Sequence, residues 1–183
     1  MSKKKCFILF FLTTLDHANI LSITNYTFST GELPSLLSFL VTSPTLKLKL
    51  HHLSIQNCII KDKECRLIAY AISKLPNLHS LTLKNNEISS IGAMALFTRI
   101  WEFHSNLKIT SINLDGNQIG PEGALSLSQS LPLLEDLKCL SIADNPIMDS
   151  GAYYILKSLL NQKRKSYLNF PCPDEIKVMY DVR

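Results

Sequence analysis

The chain has 183 residues, 46% of them hydrophobic and 19% charged, with a formal net charge of +4. This composition belongs to one folded domain and excludes a low-complexity or disordered chain. The basic residues gather at Lys3-Lys4-Lys5 and Lys163-Arg164-Lys165 instead of forming a stripe with aromatics between the charges, so no nucleic-acid partner is expected. The five cysteines are odd in number and lack C-x-x-C spacing, which argues against a disulfide framework. His51 and His52 are adjacent on a strand and point to opposite faces. No zinc pattern is present, and neither a metal nor a cofactor is expected.

Residues 1–20 come first. A basic head is followed by the apolar run from Cys6 to Leu15, the outline of a signal peptide that is too short for a membrane span. The small-x-small pair before Asn19 would be Asp16 and Ala18, a poor cleavage site, and one glycosylation triplet, Asn25-Tyr-Thr27, exists. The reading preferred is an end helix that stays on a cytoplasmic protein, with secretion as the competitor. Such a helix would be apolar nearly all round, which is wrong for a polar end cap. Either another layer covers it, or the chain is a shortened form of a longer solenoid.

From residue 21 onward one pattern recurs, L-x-x-L-x-[LI]-x-x-[NC]-x-I. Its copies run Leu50 to Ile60, Leu78 to Ile88, Ile109 to Ile119 and Leu137 to Ile147. The alternating L-x-L is a short strand with one buried face. The residues that follow, Cys58, Asn86, Asn117 and Asn145, fall where the chain turns towards the core. There an amide side chain bonds backbone groups that would otherwise be buried unpaired. Six positions later come Gly92, Gly123 and Gly151, each followed by Ala. Apolar residues then recur three and seven positions after the Ala, which marks one helix face.

Anchoring the same offsets on Cys58 keeps the helix face but puts Glu64 in place of Gly. Anchoring on Tyr26 gives a degenerate first repeat, with strand Leu21-Ser-Ile23 and helix positions Leu33, Leu36 and Leu40. Leu168-Asn-Phe170 reads as a last strand. The expected fold is therefore an α/β solenoid over residues 21–170, with about five repeats. Parallel strands line its concave face and one helix per repeat covers its convex face. Residues 171–183 form a tail. One helix per repeat, with strands recurring every 28 to 32 residues, resembles the ribonuclease-inhibitor-like class of leucine-rich repeats.

Chemistry is not expected on this scaffold. The outward strand columns hold Ser22, Ser54, Thr82, Asn113 and Ser141, then Thr24, Gln56, Lys84, Asp115 and Ala143. His52 lies beside Ser54 and Ser80, but no acid is placed to orient its imidazole. No phosphate-cradling glycine loop is present. Candidate partner contacts are therefore Thr82, Lys84, Asn113 and Asp115 on the concave face, and Trp101, Phe103 and His104. These last three fall in an insertion between a helix and the next strand, read as a loop off the regular ladder, where the aromatics either anchor a partner or fold back onto the helix end. Met94, Leu125 and Tyr153-Tyr154 form either a convex apolar stripe or contacts between neighbouring helices.

Within the ribonuclease-inhibitor-like class, binding of cationic enzymes would need an acidic concave face, and these columns contain one Asp and one Lys. A further resemblance rests on Thr45-Leu46-Lys47, on Ile60 to Arg66 leading into Ile68-Ala-Tyr-Ala-Ile72, and on Leu75-Pro-Asn-Leu78-His-Ser-Leu81. These segments are similar to the t-complex testis-expressed leucine-rich family of the ciliary nexin–dynein regulatory complex. The resemblance implies a non-catalytic scaffold with protein partners, a monomeric subunit of a larger complex in the cytoplasm or the ciliary axoneme. The alternatives are a Ran-type GTPase activator, whose usual acidic tail is missing, and a sensor repeat fragment of an innate immune receptor.

Overall fold

The computed structural model describes residues 18–161 and 178–179. Among these residues there are six strands: β1 (Ile20–Thr24), β2 (His52–Gln56), β3 (Ser80–Thr82), β4 (Ser111–Asn113), β5 (Cys139–Ser141) and β6 (Val178–Met179), the last within the segment expected to be a tail. They make one sheet in chain order, and every adjacent pair is parallel. Parallel neighbours cannot be joined by a tight turn and need a crossover. The crossovers are helices: α1 (Glu32–Thr42), α2 (Pro44–Lys49), α3 (Asp62–Ile72), α4 (Ser90–Phe103), α5 (Pro121–Ser130) and α6 (Met148–Asn161).

The core lies between the sheet and the helices. Leu21, Leu53, Leu81, Ile112 and Leu140 stand in register across the strands and are all buried. The facing helix positions are Leu33, Leu36 and Leu40, then Cys65, Ile68 and Ile72, Leu96 and Ile100, Leu127 and Leu131, and Ile155, also buried. Among the described residues Phe97 is the largest fully buried side chain. In α6 the corresponding Ala152 and Leu159 are only half covered.

The amide ladder closes the turns. Asn86 Oδ1 accepts from the N–H groups of Cys58 and Ile60, at 3.0 and 3.1 Å. Its Nδ2 donates to the carbonyls of Ile55, Leu83 and Lys84. Asn117 accepts from Ile88 N–H and donates to Leu83, Leu114 and Asp115. Asn145 accepts from Ile119 N–H and donates to Leu114, Ile142 and Ala143. Each side chain thus ties its own turn to the one before it. The Cys58 thiol reaches the Gln56 carbonyl at 2.9 Å and the Ile23 carbonyl at only 3.7 Å. At Tyr26 the phenol leaves this role and donates to Glu32 at 3.0 Å.

The residue before each ladder position is left-handed: Asn25, Asn57, Asn85, Gly116 and Asp144, with φ between 53 and 63°. Asn, Asp and Gly tolerate that conformation best. The turn therefore selects two consecutive residues, of which only the second was singled out from the sequence.

Three features depart from the sequence expectation. Helix α2 is an extra element in the first repeat. Its signal was present as Ser43-Pro44, since Ser43 Oγ accepts from Leu46 N–H at 3.3 Å and Pro44 starts the helix. The segment Trp101–Phe103 is no loop but the last turn of α4, and His104 opens a 3-10 turn that ends at Asn106. The added residues lengthen the helix because nothing in them breaks it. Finally, the place opposite Leu140 belongs to Val178; Leu168–Phe170 lie outside the described residues, as do residues 1–17.

Candidate partner-binding surfaces

The concave face is built from small side chains. Ser54, Ser80, Thr82, Ser111 and Asn113 are half-exposed, and Ser54 and Asn113 bond within the sheet. Ser54 Oγ accepts from Gln56 Nε2 at 2.7 Å. Asn113 Nδ2 donates to Asp115 at 3.1 Å, while Asn113 Oδ1 accepts from Asp115 N–H. The rings of His51 and His79 lie 5.2 Å apart at the strand entrances. His79 Nδ1 contacts the Asn77 carbonyl at 2.6 Å. No carboxylate meets His52 among the described residues, so no base is assembled beside Ser54 or Ser80.

Asp115 has to be removed from the set of displayed contacts. It is only 8% exposed. Its carboxylate accepts from Ser141 Oγ at 2.6 Å and from Ala143 N–H at 2.8 Å, with Lys84 Nζ 4.0 Å away. The column alternation predicts an outward side chain, but the chain is already turning inward there, and the neighbouring repeat supplies donors that hold the acid. Lys84 remains displayed on the concave face, with 43% of its side chain exposed.

The convex side is bulkier. Met94, Leu125 and Tyr153 occupy one equivalent position on α4, α5 and α6 and are 46%, 37% and 57% exposed. They form a stripe across three repeats instead of packing between helices. Trp101 is 57% exposed and borders a shallow recess of about 390 Å³ with Phe97, Thr98, Ser126 and Gln129. Phe103 lies on a different side of α4, half-buried, with Lys74 Nζ and the Arg99 guanidinium 5.8 and 5.3 Å from its ring centre. His104 turns back, its Nδ1 2.8 Å from the Trp101 carbonyl. The three residues do not make one patch: Trp101 faces the following repeat and Phe103 the preceding one.

Among the described residues no group of three or more His, Cys, Asp or Glu side chains could hold a metal ion, and no helix is long and apolar enough to cross a membrane. Burial raises the Cys58 thiol above its ordinary value. Cys65 is pushed up to about 12, first by burial and then by the nearby carboxylates of Asp62 and Glu64. Both are poor nucleophiles at neutral pH.

The family model described as "Leucine Rich repeat" matches residues 74–97, 105–128 and 135–156. The matches begin after the two repeats whose ladder positions are Tyr26 and Cys58. The fold is a leucine-rich repeat solenoid, and the chain is similar to the ribonuclease-inhibitor-like class of such repeats. Mouse ribonuclease inhibitor is 29% identical over 112 residues, 61% of this chain and 24% of the relative. The pig protein is 25% identical over 107 residues, 58% of this chain and 23% of the relative. FERM domain-containing protein C of Dictyostelium discoideum is 24% identical over 108 residues, 59% of this chain and 7% of the relative. The repeat protein thus spans a quarter or less of these curated relatives. In three dimensions it is similar to the tropomodulin C-terminal domain of Caenorhabditis elegans. The TM-score is 0.66 and the identity 16%, over 90% of this chain and 95% of that one. It is also similar to the leiomodin-1 actin-binding site 2, with a TM-score of 0.62 and 15% identity over 90% and 94%. At these identities the likeness is one of fold.

Proposed function

We propose that this repeat protein is a non-catalytic interaction scaffold whose principal partner docks on the outer helices and the end of α4, not on the concave sheet. The observation that carries the reading is Trp101, an exposed indole held on a regular helix beside a recess. Partner anchors are typically Trp, Tyr and Arg that enter desolvated pockets. The concave face offers mainly hydroxyls and one lysine. Among the described residues it also lacks the acidic surface that a cationic enzyme would need, since the carboxylate in its strand columns, Asp115, is turned inward. Non-catalytic action is supported by the leucine-rich repeat match and by the likeness to ribonuclease inhibitor.

The finer reading is a cytoplasmic subunit of the ciliary nexin–dynein regulatory complex, supported by the sequence resemblance over residues 45–81. Affinity capture with mass spectrometry from ciliated tissue, using wild-type and Trp101→Ala protein side by side, tests both levels. Dynein regulatory subunits recovered with wild type and depleted with Trp101→Ala are the expected result. Nuclear-transport components, together with accelerated turnover of a small GTPase by the purified chain, would replace the scaffold with the GTPase-activator reading.

A further inference from the structure

A cleft of about 590 Å³ separates α1 from α3, a size typical of ligand-binding concavities. The cause lies in the sequence. At later junctions the helix start lies against the preceding backbone. A Cβ on Gly92, Gly123 or Gly151 would come within 3.1 to 3.3 Å of the Cα of Asp62, Ser90 or Pro121. In α3 that position is Glu64. Its side chain turns back to accept from Lys61 N–H at 3.1 Å, and its bulk prevents the close approach that glycine permits.

The cleft floor is apolar, made by Leu33, Cys58 and Ile60, all buried. Its rim carries Ile59 and Leu67, 49% and 41% exposed. Ile59 is held at φ 58°, an outlier for a β-branched side chain. The equivalent Glu87, Gln118 and Pro146 are not left-handed. Strain that presents an apolar side chain to solvent points to a functional surface. The lip is basic, with Lys61, Lys63 and Arg66. The nearby carboxylates are engaged within the chain: Glu87 by Lys61 Nζ at 3.3 Å, Asp62 by Ser89, Glu64 by Lys61 N–H and by Lys63 Nζ at 3.7 Å, and Glu32 by the Tyr26 hydroxyl and Ser29 N–H. Arg66 makes no ion pair among the described residues.

We propose that this cleft is a second docking site, for a short segment of a protein partner that carries a bulky apolar side chain flanked by carboxylates. The proposal rests on the scaffold reading but uses a surface distinct from Trp101. The apolar side chain fills the space that glycine contacts close elsewhere, and the carboxylates meet Arg66 and its lysine neighbours.

The test is selection from a phage-displayed library of random linear peptides on the immobilised full chain, followed by fluorescence anisotropy with the enriched peptides. Enriched sequences should place Leu, Ile, Phe or Trp next to Asp or Glu. Their Kd should rise at least about tenfold in Arg66→Glu and in Leu67→Ser, the scale of a partial anchor loss. Trp101→Ala should leave it unchanged, and all variants should keep the wild-type circular dichroism melt. Exchanging Asp for Lys in the peptide should restore binding to Arg66→Glu. Enrichment of basic peptides, or of peptides that respond to Trp101→Ala alone, overturns the cleft proposal and leaves the outer-face reading intact. Peptides that bind only after residues 1–17 are deleted give the cleft to the chain's own apolar segment and overturn it too. Self-association abolished by Arg66→Glu assigns it to a second copy, with the same consequence.

Discussion

Replacing Asn86 and Asn117 separately by Ala should destabilise the solenoid to different extents, although the two are equally buried, at 7% and 6% exposure. Removing Asn117 leaves one buried donor without its partner, Ile88 N–H. The carbonyls it served retain other donors: Leu83 keeps Asn86, Leu114 keeps Asn145 and Asp115 keeps Asn85 N–H. Removing Asn86 strips two donors at once, Cys58 N–H and Ile60 N–H. An orphaned buried group costs about 1–3 kcal/mol. The expected losses are therefore about 1–3 kcal/mol for Asn117→Ala and about 2–6 kcal/mol for Asn86→Ala. Urea unfolding followed by far-UV circular dichroism reads both, with slopes compared so that a change in cooperativity is recognised. Equal losses, or a larger loss for Asn117→Ala, would refute the idea that orphaned N–H groups set the cost.

Three other outcomes are expected. Cys58→Asn should melt within a few degrees of wild type, because it restores the ladder donor towards the Ile23 carbonyl that the thiol reaches at only 3.7 Å; a large drop in Tm would show that the amide does not fit. Gly123→Ala should cost about 1–3 kcal/mol by thermal melt, since the added Cβ meets Ile119 Cγ2 and the backbone of Ser90; a stabilised variant would mean that α4 and α5 are not in backbone contact. Stability should fall as pH rises from about 9 to about 12, because the unfolded Cys65 thiol releases its proton near 9.0 while the folded one holds it to about 12. The folded state then binds more protons than the unfolded one across that window. Cys65→Ala should flatten the alkaline slope of Tm, and an unchanged slope would assign it to other groups.

The ladder was legible because its two periodicities are strict. Leu53, Leu81, Ile112 and Leu140 follow the strand alternation, and Leu96, Leu127 and Ile155 the helix face. Burial on one side forces both. The Glu64 substitution was visible too, but not the cleft it opens, since the outcome depends on how α1 sits against α3. Trp101 and Phe103 were misread as a loop because extra length between regular segments carries no sign of whether it extends the helix. Asp115 was misread because alternation ends where the chain turns, and its partners Ser141 and Ala143 come from the next repeat. The convex stripe was among the alternatives in the sequence. Choosing it required the exposure of Met94, Leu125 and Tyr153, which helix spacing alone does not fix.

On the function proposed above, the outer helices, not the concave sheet, carry the principal partner. The direct measurement is titration calorimetry of a captured partner against two variants. One is Trp101→Ala. The other is the concave triple Thr82→Ala, Lys84→Ala and Ser111→Ala, which spares Asn113 because that side chain holds Asp115. Trp101→Ala should weaken binding by about 2 kcal/mol or more, roughly thirtyfold in Kd, with the fold unchanged. The concave triple should shift Kd by less than about threefold, well under 1 kcal/mol. Abolition of binding by the concave triple, with Trp101→Ala indistinguishable from wild type, would contradict it.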